Sequence, residues 1–155
     1  MAIKFAKGTS IDVTGSALNI PGSIIQFVDK TQTVSTTATT AAWVDLITNS
    51  ITITKPTNKI LVEYLMNGRN DYGQGSWCLV NNRVLCNGAV AASGGHNGSA
   101  SLSIGFYERS FIYTPGAAGT YTFTGQAIAH QGTVWLGSYN SGSTNHYLRL
   151  YEIGT

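Results

Sequence analysis

Charge is scarce in this chain: only 10% of its 155 residues are Asp, Glu, Lys or Arg, against about 25% in an average globular protein. The nine basic residues are Lys4, Lys7, Lys30, Lys55, Lys59, Arg69, Arg83, Arg109 and Arg149, and they are scattered under a net charge of only +2. A nucleic-acid partner needs clustered cations that displace condensed counterions, so this distribution argues against one. Long apolar runs are missing too. Neither a membrane span nor the apolar core of a signal peptide is present, and the reading is of a soluble product made without signal-dependent export and without a membrane partner.

Catalytic and ligand-binding patterns are equally sparse. The acids are Asp12, Asp29, Asp45, Glu63, Asp71, Glu108 and Glu152, and nothing selects two of them as the facing pair that glycoside hydrolysis requires. Most read as solvated turn or edge residues, with Glu63 partnered by an Arg or Lys on a neighbouring strand. His96, His130 and His146 have no ligand-spaced neighbours, so surface or hydrogen-bonded roles are expected of them and no metal or cofactor is. No serine stands in a Gly-x-Ser-x-Gly elbow, and Gly73-Gln74-Gly75 lacks the rest of a dinucleotide fingerprint. The chain is read as non-enzymatic.

Strong helix formers are few, while β-branched and aromatic residues recur at every second position. Ser50-Ile51-Thr52-Ile53-Thr54 alternates strictly, Lys55-Pro56-Thr57-Asn58 turns, and Lys59 to Met66 reopens as a strand apolar on both faces, which reads as a hairpin with a central second strand. Further strands are expected at 23–28, 43–46, 100–114, 120–127, 133–139 and 145–153, with 31–42 a loop or loose edge strand. Residues 76–87 read as a hairpin with Asn81-Asn82 at its tip, carrying Cys78 and Cys86 as reduced, semi-buried thiols. Residues 67–75 read as a polar loop, and 87–99 as a second loop or a flexible strand. Trp43, Trp77 and Trp135 are expected in the core, while Tyr72 and Tyr139 read either as rim residues or as rings that stack on sugars or meet another protein.

Strands at this spacing, with Gly- and Asn-rich connections, specify an all-β fold: a two-sheet antiparallel sandwich, most simply a jelly roll, over residues 23–155. Residues 1–22 differ, with isolated apolar residues among small ones. They read as an extended N-terminal arm laid on a neighbour, as a short stem, or as a frayed terminus.

The segments Pro21 to Val28, Ser50 to Val62 and Leu148 to Ile153, with the Thr/Ser-rich stretch between the first two, resemble small virion-surface domains of tailed bacteriophages, particularly those of aquatic bacteria and cyanobacteria. The resemblance covers most of residues 21–153 and rests on strand-and-turn pattern, not on catalytic residues. It implies a jelly roll that assembles as a homotrimer on the virion surface, made in the host cytoplasm. Two roles follow from it: a capsid decoration (cement) protein bound to the major capsid protein or another virion protein, or a tail-fibre tip that meets a host surface glycan. In the first role Ile3, Phe5, Ile11, Val13, Leu18 and Ile20 of the arm would touch the capsid or a neighbouring copy. In the second, Asn70, Asp71, Tyr72, His96, Tyr139 and Asn140 would form the recognition loops, since loops on a rigid scaffold usually carry binding.

Overall fold

The computed structural model describes residues 22–33, 35–39, 42–70, 79–97, 104–129, 133–137 and 145–155. Among the described residues every regular element is a strand: β1 (Ile24–Thr33), β2 (Ser35–Thr39), β3 (Val44–Ile53), β4 (Lys59–Asn70), β5 (Leu79–Cys86), β6 (Ala89–Asn97), β7 (Ile104–Tyr113), β8 (Gly119–Ala129), β9 (Thr133–Gly137) and β10 (Asn145–Ile153). They form two antiparallel sheets. One runs β1-β10-β4-β9-β2 with β7 on the other side of β4, and the second runs β3-β8-β5-β6.

The first sheet simplifies on inspection of its register. Thr33 faces Asn145 and Ser35 faces Gly137, so the β2–β9 ladder continues the β1–β10 ladder, and β10 and β9 pair in turn with successive stretches of β4. With those continuations merged, the sheets are β1-β10-β4-β7 and β3-β8-β5-β6. Numbered along the chain, the eight strands then alternate as 1-8-3-6 and 2-7-4-5, the nested order of a jelly roll.

Alternation places the core. On β4 the buried residues are Ile60, Val62, Tyr64 and Met66, and on β10 they are His146, Leu148, Leu150 and Glu152. Facing them are Ile51 and Ile53 of β3, Val80 and Val84 of β5, and Phe123, Ala127 and Ala129 of β8. Burying each large apolar side chain contributes about 1.5–3 kcal/mol. The outward positions of β3 and β8 pair hydroxyls across the strands, Thr48 with Thr124 at 3.1 Å, Ser50 with Thr122 at 2.9 Å and Thr52 with Thr120 at 3.0 Å. The abundance of threonine thus serves a wet β face without charge.

Two contacts hold the sheets in register with each other. The Tyr64 ring lies directly on Gly125 of the opposite sheet, so closely that a Cβ at Gly125 would stand 2.4 Å from the ring. At the end of the sandwich, Glu152 Oε1 accepts from Thr54 N (3.2 Å), Thr54 Oγ1 (3.2 Å) and Asn58 Nδ2 (2.6 Å), with Glu152 and Asn58 both fully buried. Asn49 Nδ2 adds a bond from β3 to the Leu148 carbonyl of β10 at 3.0 Å.

These contacts correct the reading of residues 50–64. Its two strands and its turn are present, with Ile51 and Ile53 buried and Ser50, Thr52 and Thr54 exposed. The strands do not pair: β3 and β4 belong to different sheets, and residues 54–58 cross between them. Both strands bury one face, and a connection crossing the roughly 10 Å between stacked sheets lets those faces meet. Glu152 is accordingly no solvated acid; it pins this crossing.

Other boundaries shift. Residues 43–46 and 50–54 belong to one strand, β3, whose register slips between Asp45 and Ile47 so that Leu46 and Ile47 are both buried. Asn81-Asn82 is no turn but lies inside β5; the hairpin turns at Asn87-Gly88, with φ of 49° and 83°. Two consecutive positive φ values define a type I′ turn, for which Asn-Gly is the strongest sequence signal. Asn87 is held further by its Oδ1, which accepts from Thr122 N at 2.9 Å. Residues 67–70 extend β4, and 89–97 form β6. Of 31–42, residues 31–33 complete β1 and 35–39 are the edge strand β2.

Gly125→Ala is expected to cost roughly 1–3 kcal/mol by overpacking against Tyr64, and Gly125→Ala with Tyr64→Leu less than the sum of the two single changes; chemical denaturation of the four proteins checks this. Glu152→Leu is expected to lose roughly 1–3 kcal/mol, chiefly because the buried Asn58 amide is left without its acceptor, with the same measurement as readout.

Candidate functional site

The two ends of the sandwich differ. At one end Gly22 N donates to Gly154 O (2.7 Å) and Gly154 N to Ser23 O (2.9 Å), tying the root of residues 1–21 to the end of the chain. The connections at this end are short: 54–58, the Asn87-Gly88 turn, and 114–118, where the Tyr121 hydroxyl donates to Ala117 O at 2.8 Å. At the opposite end lie Thr39, Val44, Asn70, Leu79, Asn97, Ile104, Ala129 and Thr133, where the other ends of the described strands fall.

Of the residues proposed for recognition, Asn70 and His96 are described and fall toward that second end. Asn70 closes β4, and His96 stands in β6 opposite Val80, in the other sheet, so both occupy strand ends and not loops. Asp71, Tyr72, Tyr139 and Asn140 lie outside the described residues, as do the arm residues Ile3, Phe5, Ile11, Val13, Leu18 and Ile20. Asp71 and Tyr72 follow Asn70 directly.

The outer face of the six-stranded sheet is ordered in rows. Phe27, Tyr151, Leu61 and Ile112 are cross-strand neighbours in succession, and the Phe27 and Tyr151 rings stack with centroids 4.7 Å apart. The next row is Asp29, Arg149, Glu63 and Ser110. Arg149 Nε bonds Asp29 Oδ1 at 3.2 Å, and the Tyr151 hydroxyl donates to Glu63 Oε2 at 2.9 Å. The hydrogen bond to Glu63 therefore comes from a tyrosine, while Arg149, directly across from Glu63, turns to Asp29. One row further, the Tyr147 hydroxyl donates to Glu108 at 2.6 Å, and burial together with that bond pushes it up to about 12.

Large apolar side chains are exposed on one half of the molecule. Ile24 (61%), Ile25 (41%), Phe27 (51%), Ile112 (50%) and, on the other sheet, Val90 (56%) are the exposed large hydrophobics among the described residues. All lie toward the end where Gly22 pairs with Gly154.

Trp43 is not a core residue. It is half-buried before β3, and the Arg83 guanidinium lies over its ring at 4.0 Å. Arg83 Nε donates to Gln126 Oε1 at 2.6 Å, and Gln126 Nε2 donates to Asp45 Oδ1. The slip in β3 turns its first residues away from the interior, which no periodicity reveals. Trp77 lies outside the described residues. Tyr64, on the strand read as central, is fully buried.

Two titratable groups are interior. Cys86 is a free, buried thiol that burial pushes up, with the Tyr113 hydroxyl bonded to it. His146 is fully buried on the inner face of β10, and burial lowers it to about 4. No group of three or more His, Cys, Asp or Glu placed to hold a metal occurs among the described residues, and no helix there is long and apolar enough to cross a membrane.

No family model matches the chain, and no curated protein matches it. Among solved structures it is similar to a chain in the structure of infectious bursal disease virus Gx strain, at 10% identity and a TM-score of 0.44. The alignment covers 85% of this chain and 40% of that one, so this chain spans less than half of the viral chain's length.

His146 gives stability a defined pH dependence. Its folded value of about 4 lies below the ordinary 6.5, so between those values the unfolded chain holds a proton that the folded chain does not. Its contribution is complete above pH 6.5 and is lost as pH falls toward 4, by roughly 3 kcal/mol at most. Denaturation midpoints across that window are expected to fall, and to fall less steeply in His146→Gln.

Proposed function

We propose that this chain is a non-enzymatic structural protein of a tailed-phage virion, seated on the outside of the capsid as a trimeric decoration protein. The observation that carries the reading is the position of the exposed apolar residues. Ile24, Ile25 and Phe27 begin the first strand directly after the root of residues 1–22, and Ile112 and Val90 continue apolar exposure at the same end. A module held through that end would bury these side chains against the shell or a neighbouring copy, with the arm reaching further along it. Low charge suits such contacts, because few ions have to be desolvated. Threefold repetition would then join individually weak contacts into firm attachment. The resemblance of Pro21 to Val28, Ser50 to Val62 and Leu148 to Ile153 to phage virion-surface domains supports the same reading.

A tail-fibre tip is the second reading, favoured by the position of Asn70 and His96 near the end of the sandwich away from residues 54–58. In that role the far end would face the host and the arm would continue a stem.

Phe27→Asp combined with Ile112→Asp is expected to lower occupancy on particles by about tenfold or more while the circular dichroism spectrum stays β-rich. Unchanged occupancy would reject the docking end, and deletion of residues 2–20 tests the arm in the same assay. Quantifying copies per virion separates the roles: hundreds mean decoration, a handful means a fibre or another tail part.

A further inference from the structure

On the outer side of the four-stranded sheet, away from the apolar end, Trp43, Asn81, Asn82, Ser93 and Gly94 line an open recess of about 340 Å³. That volume lies near the lower end of the range for small-molecule sites, about 300–1,000 Å³. Strand register explains the opening. Asn81 faces Gly95 and Asn82 faces Gly94, so β6 brings no side chain across from either asparagine. Alternation along β5 sends Val80, Asn82 and Val84 inward and leaves Asn81 and Arg83 on the outer face. Trp43, Asn81 and Ser93 therefore form the walls, over a floor that passes Asn82 and Gly94.

The walls are held before any ligand arrives. Asp45 orients the Gln126 amide, Gln126 accepts from Arg83 Nε, and the Arg83 guanidinium lies against the Trp43 ring. From the other sheet, Arg109 donates to the Ser93 carbonyl and fixes β6 beside the recess. Folding alone does not require an indole to remain half-exposed on a β face otherwise lined with hydroxyls. A ligand lowers its binding cost by meeting side chains already fixed in this way.

We infer that this recess binds one pyranose ring of a polysaccharide. Such a ring has a face of C–H groups, which packs on the indole of Trp43, and a rim of hydroxyls, which pairs with the Asn81 amide and the Ser93 hydroxyl. Among the described residues the lining contains no carboxyl and no cation, so it matches an uncharged, hydroxyl-rich surface. Arg83, behind the indole, adds attraction for a saccharide that also carries carboxylates. A nucleic acid fits poorly, because one arginine beside the recess provides no track for a phosphate backbone. The site binds without cleaving. Asp45, the carboxyl nearest to it in this network, is bonded to Gln126, and among the described residues no acid lines the recess to form a hydrolytic pair.

Affinity for one ring in so open a recess is expected at roughly millimolar Kd, raised on a particle by the many copies present. The inference does not depend on the seat on the capsid, since it concerns a different face.

Saturation-transfer NMR on the purified full chain tests it with three probes: a tetramer of N-acetylglucosamine, maltotetraose and an alginate tetrasaccharide. At least one is expected to receive saturation, and the responding probe identifies the sugar as acetamido, neutral or uronate. Trp43→Ala and Asn81→Ala are each expected to weaken that binding about tenfold with an unchanged circular dichroism spectrum, while Trp43→Phe retains most of it. Asn81 faces outward, so Asn81→Ala keeps the test decisive if Trp43→Ala perturbs the fold. Absence of transfer to all three probes overturns the inference. So does binding that survives Asn81→Ala and Trp43→Ala undiminished.

Discussion

The buried carboxyl of Glu152 ties together parts of the chain that nothing else brings so close. It sits near the end of the last strand, and it accepts from Thr54 and Asn58 in the connection between the third and fourth. The Glu152 carboxyl and the Asn58 amide are both fully buried, so each offsets part of the desolvation cost of the other. Because that connection crosses from one sheet to the other, its geometry sets how the two inner faces meet. Tyr64 on Gly125 applies the same constraint at the middle of the sandwich, where an aromatic ring replaces the side chain that the facing residue lacks.

A sandwich held so rigidly can carry different surfaces at its two ends. The short turns 54–58, 87–88 and 114–118 and the Gly22–Gly154 pairing share one end with the exposed apolar residues, while Asn70 and His96 lie toward the other. That separation follows from the nested strand order. Every strand but one pair crosses to the opposite sheet at its end, and the compact crossings fall on the side of Lys55 to Asn58. The outer faces divide similarly: stacked rings and ion pairs on the six-stranded sheet, hydroxyl ladders and the Trp43 recess on the four-stranded one.

Much of the fold was legible because alternation is a local property. Ile51 and Ile53 against Ser50, Thr52 and Thr54, or His146, Leu148, Leu150 and Glu152 along the last strand, show a buried face wherever a strand has one wet side. The misread hairpin had a local signal as well: Asn87-Gly88 is the stronger turn sequence, but Asn81-Asn82 lies midway between the cysteines and drew the turn to itself. Trp43 was placed in the core by its type, because the slip at Asp45 and Ile47 is visible only in the pairing with the neighbouring strand. The candidate site was less legible still. Its apolar row joins Phe27, Tyr151, Leu61 and Ile112 from four separate parts of the chain, and its recess depends on Gly94 and Gly95 standing opposite two asparagines.

By itself the sequence determined that this is an all-β chain of low charge with alternating buried faces, since composition and period act over a few residues. Only the tertiary structure decided which strands pair, that residues 54–58 join two sheets instead of closing a hairpin, and that a glutamate belongs in the interior. The physical reason is range. Whether Glu152 can be buried depends on donors from Thr54 and Asn58, nearly a hundred residues away, and no pattern within a strand carries that information.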